Sequence, residues 1–253
     1  MAQATYELAN QQLPGAIYQQ AAFSELGELA AVYKPRFSNP FFIIGAALAA
    51  IIVDIAAVIG LYNVGWVAFY LLIIPILAII WAVNSLRACN LRVYIFTNGF
   101  IHARGKSGEA VRWDQIQAIW EKVTRSRYSN TFLYTVQRSD GKVFRQGSPL
   151  VNCRDMGVRM MREVTKVHLP AAKAAYNAGQ TLTFGPVNVT MQGLNNGKEM
   201  VPWDQIGRIT LQQGKLGFEK EGRTLTLSSV KTADIPNLSV LIALVNSVVQ
   251  GQK

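Results

Sequence analysis

Seven of the nine cations between residues 104 and 145 fall into three groups: Arg104 with Lys106, Arg125 with Arg127, and Arg138 with Lys142 and Arg145. Each group flanks a predicted turn, the third around Asp140-Gly141. A guanidinium presents a planar fork that matches two phosphate oxygens, and a lysine adds a point charge. Turns gathered at one open end of a β-barrel would therefore offer these groups to phosphates. The plain alternative is a solvated positive surface. Tyr128 and Phe132, beside the arginines, read either as interfacial wedges or as core.

The other reactive side chains do not assemble into a catalytic set. His102 and His168 are the only histidines, and neither has metal-ligand spacing. Cys89 and Cys153 form no CxxC pair, which points to a reducing compartment. Position alone would allow palmitoylation of Cys89, though a plain interfacial thiol is the simpler reading. No glycine-rich phosphate loop or nucleophile elbow occurs. The expectation is a non-enzymatic protein with no cofactor and no metal. Asp54 stands apart as the one ionisable residue between Pro40 and Leu86, and an acid in such a run marks a functional or helix-pairing position.

The elements that would position these residues begin with two apolar runs. Residues 41–62 contain one charge and residues 64–86 none, and a bilayer core of ~30 Å needs ~20 helical residues. The four residues Tyr62-Asn63-Val64-Gly65 leave room only for a tight turn, with Tyr62, Trp66 and Tyr70 as interfacial anchors. Gly45/Ala49, Ala46/Ala50 and Ala56/Gly60 supply small-residue spacing for helix packing, and Pro75 predicts a kink. Lys34 and Arg36 precede the runs, Arg87 and Arg92 follow them, and the turn carries no cation. The positive-inside rule then places both chain ends in the cytoplasm of a multi-pass inner- or plasma-membrane protein. Charge is uneven: residues 1–86 carry a net −2, residues 87–168 a net +9 and residues 169–253 a net +3 of the total +10. The basic part follows the apolar runs directly, where anionic phospholipid is the expected partner, and no nucleic-acid motif is present.

Beyond residue 86 the sequence repeats. Trp113-Asp114-Gln115-Ile116 recurs as Trp203-Asp204-Gln205-Ile206, with a glycine turn upstream of each and Ile119 answering to Ile209. In each copy the tryptophan and isoleucine are expected in the core, and the aspartate is expected to accept turn N–H bonds. Alternating strands surround both copies. A helix over Asn152–Val167 is expected to stop before Pro170, and a second should run from about Pro236 to Val249. The domains expected are an N-terminal cytoplasmic segment (1–40), a transmembrane hairpin (41–86), a first unit (87–168), a connector (169–179) and a second unit (180–253).

Strands, a polar residue leading into Trp-Asp-Gln-Ile, further strands and a closing amphipathic helix resemble the bacterial pleckstrin-homology-like domain. With the two apolar runs and the Tyr94-Ile95-Phe96-Thr97-Asn98-Gly99-Phe100 opening, the chain is similar to an uncharacterised family of bacterial membrane proteins. The resemblance implies an α+β fold with membrane helices, each unit an antiparallel β-barrel or sandwich plus a C-terminal helix. The functional expectation is a membrane-anchored binding or scaffold module. Its basic first unit would face anionic lipid, and its second would be free for a protein partner. The alternative is an oligomeric two-helix channel or transporter subunit using Asp54.

Overall fold

The computed structural model describes residues 14–37, 39–60, 73–105, 107–127, 129–195, 200–212, 214–219 and 226–251. It is a mixed α+β fold in which every sheet is antiparallel. Helix α1 (Gly15–Phe23) and strand β1 (Leu29–Tyr33) precede two apolar helices, α2 (Pro40–Gly60) and α3 (Ile73–Cys89). Strands β2 (Leu91–Phe96), β3 (Gly99–Arg104) and β4 (Ser107–Arg112) complete a sheet of order β1-β2-β3-β4. A 3-10 turn at Trp113–Gln115 leads into a second sheet, β5 (Ile116–Arg125), β6 (Asn130–Arg138) and β7 (Val143–Gly147), and then into α4 (Cys153–Asn177).

The same plan follows again. Strands β8 (Leu182–Phe184), β9 (Val187–Thr190), β10 (Gly193–Asn195) and β11 (Met200–Pro202) form a four-stranded sheet. A 3-10 turn at Trp203–Gln205 leads to β12 (Arg208–Gln212), β13 (Lys215–Glu219) and β14 (Thr226–Lys231), then to α5 (Leu238–Gly251). Each unit thus has four strands, a tryptophan turn, three strands and a helix, around its own core.

The repeated residues hold equivalent places. Trp113 and Trp203 are buried, and each indole N–H donates 3.0 Å to a carbonyl at the end of a strand two earlier, Thr97 and Thr190 respectively. Ile116 and Ile206 are buried beside them. The upstream glycines are required by close approach: a Cβ on Gly99 would lie 2.3 Å from the Val111 carbonyl, and one on Gly193 2.1 Å from that of Val201. Asp114 behaves differently from expectation. It accepts both of its bonds, each 3.1 Å, from the Arg112 guanidinium, while Gln115 Oε1 accepts the Arg112 backbone N–H. A guanidinium two residues away offers the carboxylate a charged donor, so the neutral amide is left to cap the turn. Asp204 is exposed.

Two expected boundaries are corrected. The segment before residue 40 is not separate from the first unit: β1 pairs with β2 from Leu29↔Phe96 to Tyr33↔Val93, and Tyr33 enters the first core. Helix α1 lies on the same sheet, its Gln20 amide donating 2.8 Å to the Gly108 carbonyl. The two apolar helices are therefore inserted between neighbouring strands. The connector over 169–179 is mostly helix, because α4 continues through Pro170. A proline inside a helix costs ~3 kcal/mol through its lost bond and ring clash. That loss is offset by burial of Tyr176, with Leu169 and Ala172, in the second core. The stop comes at Gly179, φ +77°, which turns the chain and donates to the Tyr176 carbonyl.

The start of α2 packs against the end of α3 through Ile43, Ala47, Ala82 and Cys89. Residues 40–57 have a mean hydropathy of 2.3 and are the one stretch among the described residues long and apolar enough to cross a membrane; the described part of α3 spans 17 residues. Pro75 lies in the first described turn of α3. The tight turn at Tyr62–Gly65, with Trp66 and Tyr70, lies outside the described residues.

Candidate functional site

The strand register decides which cations share a surface. Arg104 stands opposite Leu91, the first residue of β2, and the Gly105 N–H donates 2.9 Å to the carbonyl of Asn90, the first residue after α3. The β3–β4 turn therefore lies where α3 enters the sheet. On the other side of that junction the Arg36 N–H donates 2.8 Å to the Pro149 carbonyl, and the Val151 N–H donates 2.9 Å to that of Lys34. The end of β7 is thus tied to the start of α2. A cleft of about 330 Å³ opens there, lined by Arg36, Phe37, Trp81, Asn84, Ser85 and Ser148.

The β5–β6 hairpin reaches past this junction. Leu133 pairs with Gly147, the last residue of β7, whereas the β5–β6 ladder continues through Val123↔Phe132 and Thr124↔Thr131 to Arg125↔Asn130. At ~3.3 Å per residue those three pairs carry the tip ~10 Å beyond the end of β7. The tip is closed by Ser126 and Ser129, which exchange backbone and hydroxyl bonds, and it leaves Arg125 and Arg127 exposed.

A second cleft, about 600 Å³, lies between the β3–β4 hairpin and β7. His102, Arg104, Ser107 and Glu109 form one wall, and Phe144 and Arg145 the other. Both arginines are exposed. The His102 ring is half-buried and tilted against Phe144 with centroids 5.7 Å apart, and its Nδ1 is 3.4 Å from the Gln146 amide nitrogen. Burial, reinforced by the Arg104 charge, lowers the His102 pKa below its ordinary 6.5. The ring is neutral at pH 7, and the positive charge of the cleft resides on the arginines.

Arg138 and Lys142 belong elsewhere. They sit at the β6–β7 turn, by the opposite end of β7, and both contact Glu109, at 3.2 and 2.7 Å. Arg138 also pairs with Asp140, and this guanidinium holds the Asp140 carboxyl down at about 2. Arg138 further lies 5.9 Å over the Phe144 ring. These two cations clamp the β4 edge to the second sheet and are neutralised in doing so. The expectation of a third free basic turn is corrected to Arg145 alone, because three carboxylate contacts already engage the other two. Lys106 and Tyr128 lie outside the described residues. Phe132 is partly buried against the first core, with the Arg154 guanidinium 5.9 Å over its ring.

Asp54 is 5% exposed, and its Oδ1 has no hydrogen-bond partner among the described residues. Cys89 and Cys153 are buried free thiols, and burial pushes Cys153 up to about 11, which keeps it protonated and unreactive. Among the described residues no group of three or more His, Cys, Asp or Glu could hold a metal ion.

Sequence reasoning passed over His102 and Gln146. His102 was judged by metal spacing, although β3 alternation already put it on one face with Phe100 and Arg104. The aromatic contact of Phe37 with Trp81, rings 5.9 Å apart edge to face, had no sequence signal because it joins residues on opposite sides of α2. No curated protein matches the chain. The match to one family extends over residues 1–253, and on it the chain belongs to DUF6585, a family of unknown function.

Proposed function

We propose that this protein is a non-enzymatic, membrane-anchored binding module whose first unit rests on anionic lipid. The observation that carries the reading is the gathering of Arg104, Arg125 and Arg127 around the junction from which α2 and α3 emerge, with Arg145 across the adjoining cleft. The helices support it: Phe41, Ile52, Val53 and Ile59 of α2 and Ile76, Leu77 and Ile79 of α3 are all more than half exposed, as suits a lipid-facing pair. Such a pair would anchor the chain in the inner or plasma membrane, with both units on the cytoplasmic side. Three or four exposed cations near an anionic leaflet contribute about 3–4 kcal/mol, two to three orders of magnitude in affinity. The four-plus-three strand plan with a closing helix supports a pleckstrin-homology-like reading of each unit. The second unit, with a net charge of +2 over residues 180–253 against +9 over residues 87–168, is then the one free for a protein partner.

The test uses the full chain in nanodiscs of phosphatidylcholine, with or without one-third phosphatidylglycerol. Hydrogen exchange at residues 104–107 and 125–129 should slow several-fold with phosphatidylglycerol and recover in 0.5 M salt. Equal exchange in both discs, or release of the chain from membranes by alkaline carbonate, would sink the reading.

A second reading, an oligomeric channel or transporter subunit, draws on the buried Asp54, whose Oδ1 has no hydrogen-bond partner among the described residues. It requires that the purified chain conduct ions in planar bilayers and that Asp54→Asn abolish the current.

A further inference from the structure

Within the chain the second unit meets the first along α4 and along β5, and at β5 one residue supplies three hydrogen bonds. Asn237 donates its backbone N–H 2.8 Å to the Ile119 carbonyl, accepts the Ile119 N–H on Oδ1 at 3.0 Å, and donates Nδ2 3.0 Å to the Gln117 carbonyl. The recipient is β5, an edge strand bonded on its other side to β6. The contact leaves Ile119 only 3% exposed. Asn237 reaches out because it is held in the left-handed region, φ +51°, immediately before α5 and two residues after the buried Ile235.

Both halves of this contact occur a second time, and there they are bare. Asn152 is held at φ +55° immediately before α4 and two residues after the buried Leu150, matching the local arrangement around Asn237. Yet Asn152 is exposed; among the described residues neither its side chain nor its N–H donates to anything, and Val151 beside it is 46% exposed. In the second unit β12 is the counterpart of β5, as Ile209 follows Trp203-Asp204-Gln205-Ile206 at the spacing by which Ile119 follows the first copy. Among the described residues β12 is bonded on one side only, to β13. Counting back from the Gln212↔Lys215 pair that closes the β12–β13 hairpin, the Ile209 N–H and C=O point to the open side, as those of Ile119 do. Ile209 is half-buried where Ile119 is buried, and Leu211 is 54% exposed.

We propose that copies of this chain associate head to tail, the β12 edge of one receiving Asn152 of the next. The partner is a second copy because this chain carries the left-handed asparagine that such an edge accepts, and the internal junction shows the fit. The interface is heterologous, since each copy gives a different surface, and the association is open-ended, as in stacked repeats. It rests on the duplicated contact and is independent of the lipid reading.

The experiment is sedimentation velocity of the detergent-solubilised full chain over a hundredfold range of concentration. The wild type should form dimers and larger species as concentration rises. Asn152→Ala and Ile209→Pro should each weaken this at least tenfold; the proline removes the outward N–H, which an edge strand tolerates, together with the part of the Ile209 side chain that packs on the second core. An equimolar mixture of the two variants should form dimers and nothing larger, because it contains one intact asparagine facing one intact edge. If Ile209→Pro loses its far-ultraviolet dichroism, Leu211→Arg takes its place. A wild type that stays monomeric, an Asn152→Ala chain that associates normally, or a mixture that fails to dimerise overturns the proposal.

Discussion

The first and second units share a close-approach glycine, an indole bonded to a strand-end carbonyl, and a left-handed asparagine before the closing helix. They differ in how the space between the second sheet and that helix is filled. In the first unit the Tyr134 ring lies against Gly157, where a Cβ would come within 1.9 Å of the ring. The matched positions in the second unit are Leu216, fully buried, and Ile242, partly buried on the same core. Bulk has moved from the strand to the helix while the plan stays fixed. Tyr134 also carries a hydroxyl that donates 2.8 Å to Glu121, and burial raises its pKa far above the ordinary tyrosine value. The comparison separates what the architecture demands, which both copies keep, from what one unit uses for itself: the tyrosine, the arginines and the cleft beside His102.

The largest effect that could break the comparison is at the shared indoles. Trp113→Ala and Trp203→Ala should each destabilise its own unit by about 3–5 kcal/mol. Urea denaturation followed by the remaining tryptophans reads this, and a variant within 1 kcal/mol of the wild type would remove that residue from the common plan. The exchange of bulk is sharpened by Gly157→Ala, which should cost about 1–3 kcal/mol through overpacking. Adding Tyr134→Leu to Gly157→Ala should recover part of that loss, and strict additivity of the two changes would show that the positions are not coupled. The smallest effect concerns His102. Its folded-state pKa lies below the unfolded value of about 6.5, so the unfolded chain takes up the proton first as pH falls. Stability should therefore decline as pH drops below about 6.5, by a few degrees in Tm at most, and His102→Gln should flatten that slope between pH 7 and 5. An identical slope in the variant would assign the effect to other groups.

Much of the fold was legible in the sequence because its signals were local. The Asn98-Gly99 turn, the alternation of β2 and β3 and the apolar stripe of α5 each lie within a dozen residues. β1 was not legible, since its partner β2 is reached only across α2 and α3, and five residues between Gly27 and Pro35 do not by themselves announce a strand. Pro170 misled because a local breaker signal was outweighed by burial of Tyr176 in a core assembled later in the chain. At the site, the cation clusters were visible as composition, but their division was not. Glu109 engages Arg138 and Lys142 from another strand, a pairing set by sheet register rather than by spacing. Asn237 was invisible for the same reason, its partners being Gln117 and Ile119.

The insertion of α2 and α3 between β1 and β2 sets an order of assembly. During synthesis β1 emerges first and must wait, with its edge unpaired, until both helices have been made and placed and β2 has followed them. Every described strand of the second unit instead finds its neighbour in immediate succession. The unit made last is therefore the one able to pair its strands fastest, and a delay in placing the helices would stall the first sheet while leaving the second to form.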